Sequence, residues 1–156
     1  MARPQSILIR SEKVDQGYDA KRSDKHRHID GLTAMVVDDN PATLKLIAAM
    51  LAGIGFDVHA VREGTEALFD FQDSPFDLVL TDYELPIIDG YQMGRKIKSQ
   101  RPATRVVIMT GLGRSAVAGL MVDNAIDGWL FKPFDLEKLE TLLSGVGLSP
   151  QSSGKT

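Results

Sequence analysis

Apolar residues recur along this chain in two alternating rhythms. Leu32 to Val37 (LTAMVV) is a short apolar run ending at Asp38-Asp39, and Asn40-Pro41 then supplies a helix N-cap and a first-position proline. Leu44, Ile47, Ala48 and Leu51 follow at i, i+3, i+4 and i+7, one helical stripe, which Gly53 and Gly55 stop. Phe56, Val58 and Ala60 alternate as a second strand, and Ala67, Leu68 and Phe71 mark a second helix. Phe76 to Thr81 reads as a third strand aimed at Asp82, with a turn carrying Pro86 and Asp89-Gly90 behind it. Tyr91, Gly94, Ile97 and Lys98 trace a helix, and Arg105 to Met109 a strand ending at Thr110. Ser115 to Asp123 is the next helix, and Trp129 to Phe131 a short strand ending at Lys132-Pro133. Leu136, Leu139, Leu142 and Leu143 line a last helix capped by Asp135.

Strand and helix thus alternate five times with short connections. This predicts a doubly wound α/β fold, a five-stranded parallel sheet with helices on both faces, since strands buried on two sides read as unbroken apolar runs. The domain so defined covers residues 32–144. Residues 1–31 are polar and charge-mixed without a sustained period, and are expected to form a flexible extension in which only Ser6-Ile7-Leu8-Ile9 could add an edge strand. Residues 145–156, rich in Gly, Ser and Pro, are expected to form a flexible tail.

Composition narrows the function. At 156 residues with 43% hydrophobic, the chain holds one packed core and has no room for a second enzymatic or DNA-binding domain. The formal charge of -3 offers no global basic field for nucleic acid or for an anionic membrane. With no cysteine, no signal-peptide pattern and no long uninterrupted apolar stretch, the sequence predicts a soluble cytoplasmic protein.

In a parallel sheet of this kind, ligands bind beyond the carboxyl ends of the strands. The residues leaving those ends are Asp38-Asp39, Asp82, Thr110 and Lys132, so they should converge. Carboxylates at one edge repel one another, and a hard divalent cation resolves the repulsion. Asp39 and Asp82 can offer magnesium the oxygen ligands it prefers. Lys132 suits a phosphoryl oxygen as a mobile point charge, and the Thr110 hydroxyl can bond another. An acid nucleophile with metal, lysine and hydroxyl stabilises a transferring phosphoryl group, which implies an acyl phosphate on Asp82. Each residue alone has a plainer reading: helix-capping acids, a solvated lysine, a strand-end hydroxyl, a core indole at Trp129. Their register is what favours the site. His26 and His28, spaced as a possible metal pair, have no second ligand pair nearby in sequence.

At this point the chain resembles the response-regulator receiver domains of two-component signalling. Asp38-Asp39 resembles the family's acidic pair, Asp82 its phosphoacceptor, Thr110 its switch hydroxyl and Lys132-Pro133-Phe134 its lysine motif, with LPIIDG after Asp82 like the family's loop. The resemblance covers Leu32 to Ser144. It implies a flavodoxin-like sheet of order 2-1-3-4-5, and magnesium held by Asp39, Asp82 and the backbone carbonyl of Glu84, with Asp38 acting through a water. It also implies a cis Lys132-Pro133 peptide. Trp129, standing where most receivers have Tyr or Phe, would follow Thr110 as the switch. The family usually has Gly just after helix four, so Asn124 or Ala125 is expected to take positive φ here.

The function so implied is that of a stand-alone receiver, phosphorylated by a histidine kinase or histidine phosphotransfer protein. It would catalyse only its own modification and its reversal, rather than turn over as an enzyme. Its signal would pass to an unnamed protein through the helix from Ser115, the fifth strand and the last helix, with neither nucleic acid nor membrane bound and with a monomer or weak dimer as the working state. The competing readings are a phosphorylation-independent interaction module of the same fold and, more remotely, a phosphatase or phosphotransferase with an aspartyl-phosphate intermediate.

Overall fold

The computed structural model describes residues 7–9 and 31–148, and the expected flexible extension and tail, with His26 and His28, otherwise lie outside the described residues. In chain order the elements are β1 (Ile7–Ile9), β2 (Thr33–Val37), α1 (Pro41–Ile54), β3 (Asp57–Val61), α2 (Gly64–Asp73) and β4 (Leu78–Asp82). Then come α3 (Gly90–Gln100), β5 (Arg105–Thr110), α4 (Arg114–Met121), β6 (Gly128–Phe131) and α5 (Leu136–Gly145).

The strands form one sheet of order β1-β3-β2-β4-β5-β6. From β3 to β6 all pairs are parallel and reproduce the expected 2-1-3-4-5 winding. The sheet has six strands rather than five, the sixth being the edge strand that the Ile7 to Ile9 run was able to add: Ile7, Leu8 and Ile9 pair antiparallel with Ala60, His59 and Val58. This outer strand covers the backbone edge that β3 would otherwise present, and Ile9 packs on the core beneath.

Alternate residues of each strand feed opposite cores. Ala34, Val36, Leu78, Leu80, Val107 and Met109 pack under α1 and α5, against Leu44, Ile47, Leu51, Leu139 and Leu143. Met35, Val37, Val79, Val106 and Ile108 face the other way, against Phe71, Met93 and Ile97. Every residue of β4 is buried. Unbroken apolar strands are the sequence image of that double burial. Among the described residues no helix is long and apolar enough to cross a membrane.

Helix ends follow local chemistry. The Asn40 side chain accepts from the Ala42 and Thr43 N–H groups with Pro41 next in line, and Gly55 (φ 119°) closes α1 in the left-handed conformation. Asp89 and Gln92 form a reciprocal capping box on α3. The exit of α4 corrects the sequence reading. Neither Asn124 nor Ala125 has positive φ, and among the described non-glycine residues only Ile87 does (φ 72°). Helix α4 ends with Val122 still right-handed, and a tight turn in which the Ala125 N–H bonds the Asp123 carbonyl reverses the chain, so no left-handed residue is required.

Candidate functional site

The strand order reverses at β2, whose neighbours β3 and β4 lie on opposite sides, so a crevice opens beyond the carboxyl ends of β2 and β4. Asp38 and Asp39 leave β2 there, and Asp82 is the last residue of β4. Asp38 is 1% exposed and Asp82 9%, while Asp39 stands at the exposed rim. The three can each place a carboxylate oxygen so that all lie within 4.8 Å of one another.

Lys132 reaches the same point from the end of β6. Its Nζ donates to Asp38 Oδ2 at 3.1 Å and to Asp82 Oδ1 at 3.3 Å, from a chain bend containing the cis Lys132-Pro133 peptide. Asp38 is fixed from behind as well: its Oδ1 accepts from the Asn40 N–H at 2.9 Å, and its own N–H donates to the Val61 carbonyl. The Thr110 side chain is fully buried at the end of β5, and its Oγ1 accepts from the Leu112 N–H at 3.0 Å. Glu84 lies exposed two residues past Asp82, and its side chain is not part of the carboxylate cluster.

Three carboxylates face one ammonium, and the imbalance falls on the acceptor. Burial pushes the Asp82 carboxyl up, the Asp38 charge pushes it further, and Lys132 opposes both without cancelling them. Burial alone would lower the Lys132 ammonium, but Asp38 and Asp82 outweigh it and hold the pKa above the ordinary lysine value. A donor set of closely spaced carboxylate oxygens with residual negative charge fits a hard divalent cation.

The same imbalance acts on stability. Because the folded-state pKa of Asp82 is raised, its stabilising contribution is complete below the ordinary carboxylate range and is lost as pH rises through the raised value. In metal-free buffer at neutral pH, Asp82→Asn is therefore expected to melt on the order of a few degrees above wild type, with the gap closing in acid. Paired thermal melts across pH test this; a variant less stable than wild type at neutral pH would contradict it.

The sequence matches the response regulator receiver domain family over residues 34–144. The chain belongs to that family. Receivers are the phosphorylated modules of two-component systems, carry an acidic pocket for magnesium, and work with histidine kinases or phosphotransfer proteins. Among curated relatives, the Transcriptional regulatory protein TcrA of Mycobacterium tuberculosis is 34% identical over 113 residues, covering 71% of this chain and 44% of TcrA. The chain thus spans less than half the length of that relative. A Clostridium thermocellum receiver domain superposes with a TM-score of 0.68 at 28% identity, over 74% of this chain and 93% of the other. The receiver domain of sensor histidine kinase PA1611 from Pseudomonas aeruginosa, solved with magnesium coordinated in its active-site cleft, gives a TM-score of 0.65 at 26% identity, over 75% and 98% of the two chains.

In this receiver the expected residues Asp38, Asp39, Asp82 and Lys132 come together, and Thr110 ends the neighbouring strand. Trp129 sits two positions before Phe131, the residue paired with Thr110 across β5 and β6. Its ring is 6.3 Å from that of Tyr83 and 6.4 Å from that of Tyr91, centroid to centroid. Sequence reasoning assigned neither tyrosine to the site. Tyr83 is adjacent to the acceptor, but nothing in the local pattern tells that Tyr91, on the next helix, meets the same indole.

Proposed function

We propose that this receiver takes a phosphoryl group on Asp82 from the phosphohistidine of a kinase or phosphotransfer protein and hands the signal to a protein partner in the cytoplasm. The observation that carries the reading is the Asp82 carboxylate held 3.3 Å from the Lys132 ammonium beside Asp38 at the switch point of the sheet. An Asp82 oxygen bonds to phosphorus as the phosphorus–nitrogen bond of the donor breaks, and the imidazole leaves with that electron pair. Lys132 stabilises charge on the transferring oxygens, and the Thr110 hydroxyl donates to one of them once its side chain turns toward the acceptor. Asp39, Asp82 and the Glu84 carbonyl would hold magnesium, with Asp38 acting through a water, and the ion would supply charge neutralisation for the phosphoryl oxygens when bound. The aspartyl phosphate is hydrolysed within the same site, so the chemistry is self-modification and its reversal rather than turnover of a substrate.

Two surfaces support protein partners on either side of this event. Helix α1 rises beside the acceptor with Ala42, Leu46, Ala49 and Gly53 exposed along one stripe, Leu46 at 62%. That smooth apolar face suits a helical histidine-bearing domain. On the output side, a groove of about 790 Å³ between α4, β6 and α5 is lined by Leu112, Arg114, Trp129, Phe131, Lys138 and Leu142, so its walls include the residues that follow Thr110.

Incubation with magnesium and acetyl phosphate, followed by intact-mass spectrometry, tests the proposal. One added phosphoryl group on wild type and none on Asp82→Asn is the expected result. Absence of the adduct with acyl phosphate and with a phosphorylated histidine donor alike would favour a phosphorylation-independent interaction module.

A further inference from the structure

We propose that Tyr91 and Asp123 form a latch that positions Trp129 and holds the receiver in its resting arrangement. Neither residue belongs to the phosphoryl-transfer constellation. Tyr91 lies in the first turn of α3 and is 9% exposed, and its hydroxyl donates to Asp123 Oδ2 at 2.7 Å. Asp123 lies just past the end of α4, in the connection to β6. Arg95, one turn further along α3, has its guanidinium 5.8 Å from the Tyr91 ring centre and 4.0 Å from the Asp123 carboxylate. The other side of the assembly is Trp129, whose ring lies 26° from parallel to that of Tyr91. Three elements, α3, the exit of α4 and β6, are therefore tied through one phenol ring.

The chemistry gives each tie a distinct role. A phenol donating to a carboxylate makes a charge-assisted hydrogen bond with a fixed direction, which sets the orientation of the Tyr91 ring. The bond to Asp123 also raises the phenol pKa, in keeping with a hydroxyl that donates to a carboxylate. The ordered ring then offers Trp129 an aromatic face, and the indole cannot turn away without giving up that contact. The Tyr91 hydroxyl thus stabilises one arrangement of Trp129 over its alternatives, and it ties the α4 exit to α3 while that arrangement lasts. Removing it shifts a two-state balance toward the arrangement that follows phosphorylation of Asp82. This last link rests on the function proposed above; the positioning of Trp129 does not.

Trp129 is the single tryptophan of the chain, so its emission reports this site alone. The full chain, Tyr91→Phe, Asp123→Ala and the double variant are compared by acrylamide quenching at rest and by titration with beryllofluoride in magnesium. Tyr91→Phe keeps the ring and removes only the hydroxyl. Both single variants are expected to move resting quenching toward that of beryllofluoride-loaded wild type. The beryllofluoride midpoint should fall roughly fivefold in each, the scale of one hydrogen bond. The double variant should match the singles, because either change opens the same latch. Asp123→Asn, which keeps an acceptor, should restore part of the wild-type behaviour. Unchanged quenching in both singles, or fully additive effects, would overturn the proposal. If wild type itself fails to respond to beryllofluoride, the phosphorylation reading is at fault, and the resting quenching of the single variants alone decides whether Tyr91 and Asp123 position Trp129.

Discussion

Lys132→Met is expected to slow phosphoryl capture on Asp82 by roughly 10²-fold or more, the usual effect of deleting one stabilising group from a preorganised site. Methionine keeps an unbranched stem of similar length, so the loss is that of the ammonium. That ammonium is bonded to Asp38 at 3.1 Å and to Asp82 at 3.3 Å, and no other cation is bonded to either carboxylate among the described residues. Its removal also changes the stability profile. Lys132 is what opposes the upward push on Asp82 from burial and from Asp38, so the Asp82 pKa rises further in the variant. A carboxyl with a raised folded-state pKa is destabilising when ionised. The variant is therefore closest to wild type in acid, and its deficit grows as pH climbs through the raised carboxylate pKa. At the alkaline end the sign reverses. The Lys132 pKa is raised in the fold, so its own stabilising contribution is complete below the ordinary lysine value and fades as pH passes through the raised one. A stability gap that opens through the carboxylate range and closes in strong alkali is the expected signature, read by thermal melts alongside acetyl phosphate labelling rates. Lys132→Arg retains charge but not the compact ammonium, and should fall between the two. Wild-type labelling by Lys132→Met would reduce Lys132 to a structural counter-ion.

Gly90→Ala is expected to damage fold and site together. Gly90 opens α3, and its N–H bonds the Tyr83 carbonyl at 2.9 Å, which brings the helix start hard against the end of β4. A methyl at this position would collide with the Asp82 carbonyl oxygen and lie 3.0 Å from the Asp82 carbonyl carbon and 3.1 Å from Tyr83 Cα. All of these are backbone atoms of the acceptor strand and its continuation, so no side-chain rotation relieves the clash. Overpacking of this kind costs about 1–3 kcal/mol and at times more. Relief by retreat of α3 would displace the backbone that aims Asp82, so the folded fraction should also label poorly. Gly53→Ala is the contrasting control. Gly53 is exposed in α1, a methyl added there meets nothing within 4 Å, and alanine should stabilise by roughly 0.5–1 kcal/mol with labelling by acetyl phosphate, which needs no docking on α1, unchanged. Equal behaviour of the two variants would show that close approach at Gly90 is not what holds α3 to the acceptor strand.

The loop between Asp82 and Gly90 shows why some of this region was legible in the sequence and some was not. Asp89-Gly90 reads in the sequence as a turn that starts the next helix, and the structure adds that Asp89 caps α3 in a box with Gln92. Ile87 does not read as left-handed. A β-branched residue disfavours positive φ, yet Ile87 adopts it at 89% exposure, with the Ile88 N–H bonded to the Pro86 carbonyl at 2.8 Å. Leu85 and Ile88 both lie against Gly64 at the start of α2, and Gly90 must meet Tyr83, so the turn between them is forced from outside the loop.

Sequence by itself determined what is local or periodic in this receiver. The double burial of β2, β4 and β5 is written as apolar runs, the stripe of α1 as a period, and the caps at Asn40 and Asp135 as side chains beside the N–H groups they satisfy. It also placed Asp38, Asp39, Asp82, Thr110 and Lys132 at one edge, because parallel winding puts every strand's carboxyl end on the same side. The sequence offered Ile7 to Ile9 as a possible edge strand, and tertiary structure decided that it forms and pairs antiparallel with β3, since so short a run carries no period and its partner lies far along the chain. Tertiary structure alone decided that the chain leaves α4 without a left-handed residue, and that Tyr91 bridges Asp123 and Trp129. Those outcomes depend on distances between elements, and such distances are set by how the two cores pack rather than by any neighbouring residue.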